Sequence, residues 1–196
     1  MYKREGDADW QEWEPQPNDI QIVDEKITIK ATGFKAMDGF ADVREVKLPN
    51  KWNNDSEVVD VTSIGASAFA GCTGLTSVTI GNGVTSIEDY AFRGCSSLTS
   101  VTIPANVTRI GVEAFCDCSG LTSVTIPDSV HSIWDYAFSD CSSLTSVEFE
   151  GNAPTVYGSN VFANVATGCK AIISPTATDF PAAGETWNGL IVEVKS

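Results

Sequence analysis

Between Val61 and Asn152 the apolar and polar positions repeat with a period of 23 residues, four times over, without insertion or deletion. The copies begin at Val61, Val84, Val107 and Val130. Leu75, Leu98, Leu121 and Leu144 fill one slot; Val78, Val101, Val124 and Val147 stand three residues on, and Ile80, Ile103, Ile126 and Phe149 two further. The V-x-I portion alternates as a strand with one buried face does. It predicts strands near Thr76–Ile80, Thr99–Ile103, Thr122–Ile126 and Thr145–Phe149. A second apolar pair opens each copy (Val61/Ile64, Val84/Ile87, Val107/Ile110, Val130/Ile133), and Phe69, Phe92, Phe115 and Phe138 follow, each with a cysteine three residues later. A unit this short cannot bury its own apolar face and must stack on copies of itself. Stacking in register predicts a parallel ladder with strands about 4.8 Å apart. The core then consists of rows of identical side chains.

The flanks keep the pattern less well. Residues 1–19 are polar and acidic and read as a flexible arm, whose Trp10 and Trp13 could fold back on the stack. Residues 20–60 read as an N-terminal cap with a degenerate repeat. Ile20–Val23 and Lys26–Lys30 suggest a hairpin over the first face, Ala36–Leu48 a half-repeat, and Asn50–Asp60 an inserted loop. The exact repeats occupy residues 61–152, and the phase slips afterwards. Residues 153–175 form a degenerate repeat with Lys170–Ile173 as the last ladder strand. Residues 176–196 read as a C-terminal cap with Trp187 over the last repeat.

The pattern A-F-x-x-C-x-x-L-x-x-V-x-I-P stands in full in Ala91–Pro104 and Ala114–Pro127. It resembles the BspA-like leucine-rich repeats of bacterial surface proteins. The resemblance implies an α/β solenoid: a right-handed leucine-rich repeat superhelix with a parallel β-ladder, short helical turns and capped ends. It also implies a non-enzymatic adhesion module at the cell surface or outside the cell. The expected partner is a protein, a host extracellular-matrix protein being one class.

Charge narrows the partners. A formal net charge of −14 and a pI near 4.2 would repel a phosphate backbone and anionic lipid, so nucleic acid is not expected as a partner. No apolar run is long enough to cross a membrane. The sequence opens without an apolar signal core, which leaves a cytoplasmic protein or a mature exported segment; the resemblance favours export. A monomer is expected. Cys72, Cys95, Cys118 and Cys141 share one slot, and their parallel Cβ directions oppose disulfides, so a row of buried thiols is expected. Cys116-Asp117-Cys118 offers too few ligands for zinc. No nucleophile elbow, phosphate-cradling loop or calcium-loop spacing is present, and no cofactor is expected.

Two groups of residues could carry recognition. Thr79, Thr102, Thr125 and Glu148 point away from the core on successive ladder strands and form a polar sheet face, though threonine is also simply a good strand former. Trp134, Tyr136 and Tyr90 break the repeat at variable slots, where aromatic rings could contact a protein or stack on a glycan. Ordinary packing of a turn would account for them equally. His131, the only histidine, has no evident partner for catalysis.

Overall fold

A computed structural model of the chain describes residues 2–4, 8–9, 20–23, 26–29, 43–48, 51–53 and 58–196. It is a parallel β-solenoid of about six turns. One sheet has nine strands. Its central run is Val43–Lys47, Ser77–Thr79, Ser100–Thr102, Ser123–Ile126, Ser146–Phe149, Lys170–Ile173 and Leu190–Val194, all parallel. The four predicted ladder strands are therefore neighbours in one sheet, as the period requires. A second sheet carries the apolar pair that opens each coil, through Val58–Ile64, Ser86–Ile87, Arg109–Ile110, Ser132–Trp134 and Thr155–Tyr157.

Threonines fasten both ladders. Thr99, Thr122 and Thr145 each donate from both N–H and Oγ1 to the carbonyl of the threonine one coil back. Thr85 and Thr108 do the same beside the second sheet.

The third side of each coil runs through the Ala-Phe segment, and its hydrogen bonding differs from the helical turns expected there. Among the described residues there is no helix. Ser67, Phe69 and Gly71 donate their N–H groups to Asp89, Ala91 and Arg93 of the next coil, at 2.7–2.9 Å. The residues between them close turns within the coil, Ala68 to Gly65, Ala70 to Ser67 and Cys72 to Phe69. Alternate donors thus leave the coil, and the i→i−4 ladder of an α-helix has no donors left. Two rows of left-handed residues make this path possible: Ser67, Tyr90, Glu113 and Tyr136 in one, Gly71, Gly94, Asp117 and Asp140 in the other, with φ between 50° and 77°. Glycine takes the first two places of the second row because it enters that region without a Cβ clash.

Between the three sides lies the core. Phe69, Phe92, Phe115, Phe138 and Phe162 form one stack, with centroids 5.1–5.5 Å apart and planes within 8° of parallel. Beside it runs the cysteine row, free of disulfides and buried. Cys95, Cys118 and Cys141 donate Sγ–H to the carbonyls of Phe69, Phe92 and Phe115 at 3.1–3.2 Å, so each thiol pins two coils together.

Neighbouring coils are not interchangeable. Asp89 reaches the next coil, accepting from Val112 N–H at 2.9 Å, and Asp135 does likewise with Ser159 at 2.8 Å. A Cβ on Gly111 would stand 2.5 Å from the Asp89 carboxylate, and one on Gly158 would stand 1.8 Å from that of Asp135. An aspartate-bearing coil is therefore followed by a coil with glycine at the facing position.

The ends correct several expectations. Tyr2–Arg4, placed in the flexible arm by sequence, pairs antiparallel with Val43–Lys47. Ile20–Val23 and Lys26–Ile29 form the expected hairpin, which joins the second sheet beside Val58–Ile64. Lys51–Asn53, expected as loop, pairs antiparallel with Val58–Asp60. Lys170–Ile173 is not the last ladder strand, because Leu190–Val194 continues the sheet in parallel. Trp187 lies edge-on to Phe149 at 5.2 Å, with Phe180 5.0 Å away in the same cluster. Trp10, Trp13 and Ala36–Ala41 lie outside the described residues.

Phe115→Ala in the middle of the stack is expected to destabilise by about 3–5 kcal/mol, read as a fall in the urea midpoint. An unchanged midpoint would remove the ring row from the core. Burial pushes the Cys141 thiol up to about 12 from an ordinary 9.0. The folded pKa is the raised one, so this contribution is complete below about pH 9 and is lost as pH climbs toward about 12. Unfolding midpoints should fall over that window, and Cys141→Ala should flatten the fall.

Candidate functional site

The outward positions of the first sheet line up across coils. Thr79, Thr102, Thr125 and Glu148 are direct register neighbours, and Ser77, Ser100, Ser123 and Ser146 form the parallel row two residues earlier. The threonines are exposed. Glu148 is half-buried and ion-paired with Lys195, while Lys170 pairs with Glu193 on the same face. The face is a polar, rigidly backed surface that ends in paired charges.

The aromatic residues lie elsewhere, so the structure does not gather the seven sequence candidates into one site. Trp134 belongs to the second sheet, between two partners. Arg109, from the coil before, holds its guanidinium 5.3 Å from the ring centroid, and Tyr157, from the coil after, stacks at 4.9 Å. Arg109 is itself fixed by Glu88 and by Asp89 at 3.0 Å. The indole N–H is buried without an acceptor. Trp134 is thus a packing residue with both faces engaged, and the exposed ring of this pair is Tyr157, 48% exposed, which sequence reasoning passed over. Its signal was available, since Tyr157 occupies the slot of Trp134 one period later.

Tyr90 and Tyr136 occupy the left-handed row on the third side, with φ of 61° and 55°. Tyr90 is accompanied by the Arg93 guanidinium, 5.8 Å from its centroid. Tyr136 borders a shallow groove of about 420 Å³. Cys116, Ser139 and Ala163 line its floor slots, and Tyr136, Asn160 and Asp140 stand in the flanking rows. Internal hydrogen bonds set its rim: Asn164 Nδ2 donates to Asp140 at 2.8 Å, Ser139 Oγ to the other Asp140 oxygen at 2.8 Å, and Asn160 Nδ2 to the Tyr136 hydroxyl at 3.2 Å. The Asn164 and Ser139 donors hold the Asp140 carboxyl below its ordinary range, so it stays ionised.

Chemistry here is limited. His131 is exposed at a ladder corner, away from these groups in the repeat. Cys116, Asp117 and Asp140 place ligand atoms within 4.8 Å of one another, the one such group among the described residues. Both Asp140 oxygens already accept hydrogen bonds, and three donors fall short of a closed tetrahedral site.

A family model described as the BspA type leucine rich repeat region matches residues 60–181, in six copies, more than half of the chain. The chain belongs to the BspA-type leucine-rich repeat family. This BspA-type chain is similar to the crystal structure of a T. pallidum leucine-rich repeat protein at 26% identity and TM-score 0.64, covering 83% of this chain and 71% of that one. A Bacteroides capillosus leucine-rich repeat protein matches at 29% identity and TM-score 0.57, over 67% and 93% of the two chains. A leucine rich cell surface protein of Faecalibacterium prausnitzii shares the fold at 24% identity and TM-score 0.51, over 90% and 57%. No curated protein matches. Leucine-rich repeat families are in general binding scaffolds, and no match indicates a catalytic family. Among the described residues no helix is long and apolar enough to cross a membrane.

Trp134→Ala is expected to lower stability by about 1–3 kcal/mol, because Arg109 and Tyr157 lose the ring between them. A denaturation midpoint equal to that of the unsubstituted protein would show that the ring carries no packing.

Proposed function

We propose that this chain is a non-enzymatic binding module, presented at a bacterial surface, that recognises a protein partner through the first sheet. The observation that carries the reading is the pair of outward serine and threonine rows, in register from coil to coil, with the threonines exposed on a face backed by the buried Val78, Val101, Val124 and Val147. Such a face is preorganised: its side chains stand on strands that cannot shift independently, so little freedom is lost on binding. The family supports presentation at the surface, and host matrix proteins are the partners to try first. A second reading, contact with glycan, is favoured by the exposed Tyr157 ring stacked on Trp134.

The test is capture of the purified chain on immobilised matrix proteins, with Thr102→Lys/Thr125→Lys as the variant. The double substitution should weaken capture by about tenfold or more, equivalent to about 1.4 kcal/mol, with the melting temperature unchanged. Equal capture by the variant would place recognition off this sheet. Retention on a glycan array, lost in Tyr157→Ala, would favour the second reading.

A further inference from the structure

The second coil shows what the place beside a left-handed tyrosine can hold. Arg93 stands with its guanidinium 5.8 Å from the Tyr90 ring centroid, and its Nε is 3.1 Å from the Glu113 carboxylate of the next coil. Two coils on, Tyr136 occupies the slot of Tyr90 with nearly the same φ, 55° against 61°, so its side chain leaves the backbone along the same path. Ser139 occupies the slot of Arg93, and its short side chain turns to Asp140. No described cation stands over Tyr136, whose ring is 39% exposed. Where the second coil carries a guanidinium, the fourth opens into the groove of about 420 Å³.

The surroundings of that space are negative. Asp140 lines it beside Glu113, which is paired with Arg93, and Asp117 is close enough for its carboxylate to share a 4.8 Å cluster with Asp140 and the Cys116 thiol. Cys116 is buried and, unlike those of Cys95, Cys118 and Cys141, its thiol has no hydrogen-bond partner among the described residues. Its thiol is pushed up to about 11, first by burial and then by the charges of Asp117, Glu113 and Asp140. The same field that opposes a thiolate favours a cation.

We propose that the groove receives the guanidinium of an arginine on a protein partner, set over the Tyr136 ring with Asp140 as its counter-charge. Arginine fits better than lysine because its planar, weakly hydrated head stacks on rings and bonds carboxylates side-on. The molecule makes this choice itself: both described cations over aromatic rings, Arg93 on Tyr90 and Arg109 on Trp134, are arginines. The net charge of −14 adds long-range attraction for a basic partner. The proposal rests on the protein-binding reading only for what carries the arginine, and a small probe tests the groove separately from the sheet face.

The probe is N-acetyl-arginine methylamide, titrated into the ¹⁵N-labelled chain, with N-acetyl-citrulline methylamide as its uncharged counterpart. Saturable shifts are expected at the backbone amides of Ser139, Asp140, Asn160 and Asn164 with the arginine probe alone, weakening as salt is added. Tyr136→Ala and Asp140→Asn should each weaken binding by about fivefold, whereas Tyr136→Phe, which keeps the ring, and Tyr90→Ala should not. Ser139→Arg, which restores the arrangement of the second coil, should abolish probe binding while the chain stays folded. Equal shifts with the citrulline probe would overturn the proposal. So would shifts that bypass the groove, or undiminished binding by folded Tyr136→Ala and Ser139→Arg. Failure of the unsubstituted chain to bind matrix proteins, or equal capture by Thr102→Lys/Thr125→Lys, with the probe response intact would count against the sheet reading and leave the groove standing.

Discussion

Each coil of this molecule satisfies much of its backbone through its neighbours. On two sides the donors and acceptors form parallel ladders, and on the third, alternate N–H groups cross to the next coil while the intervening ones close tight turns. An unpaired buried amide costs about 1–3 kcal/mol, so a coil cannot rotate or slip without losing several such bonds at once. That constraint fixes the register, and the register stacks identical side chains: phenylalanine on phenylalanine at ring-stacking distance, and thiol beside carbonyl. The inward slots are thereby committed. Variation is left to the outward ones, and it is concentrated on the third side, where Ser67, Tyr90, Glu113 and Tyr136 share one row while the core repeats unchanged.

Much of this was legible in the sequence because a repeat states its own register. Leu75, Val78 and Ile80 recur in phase, and once one copy is a strand all are. The third side was not legible. Its donors leave for another coil, and nothing in A-S-A-F-A-G-C distinguishes a donor at Phe69 that bonds Ala91 from one that would bond within a helix. Glycine and aspartate mark the second left-handed row, but tyrosine and glutamate in the first row are poor left-handed formers, so only the fold reveals it. The packing around Trp134 was not legible for a related reason. Its neighbours Arg109 and Tyr157 come from coils on either side, and Arg109 sits two slots away from the position that would align with it. The groove was half visible. Tyr136 stood out as an odd residue, whereas Asn160 and Asn164 lie where the phase slips and no longer align with their equivalents.

The sheet face and the groove use the same scaffold differently. The sheet offers many weak, regularly spaced hydroxyls, suited to a broad contact whose strength comes from shape and summed hydrogen bonds. The groove offers one ring and fixed carboxylates, suited to a single anchoring side chain. Both are held by inter-coil bonds and not by loops, so neither must be ordered when a partner arrives.

The pairing of aspartate-bearing coils with glycine-bearing ones bears on how such a molecule can lengthen or shorten. Asp89 fits because Gly111 follows it, and Asp135 because Gly158 does. Excising the single coil from Val107 to Ser129 would bring Trp134 to the place of Gly111, with a Cβ where the Asp89 carboxylate now lies. Excising that coil together with the one before it would remove Asp89 along with Gly111, set Trp134 in the place of Glu88, over Gly65 and Ala66, and leave the Asp135 contact with Gly158. A coil of this solenoid is therefore not freely removable, because whatever closes the gap must offer a glycine to the aspartate that precedes it.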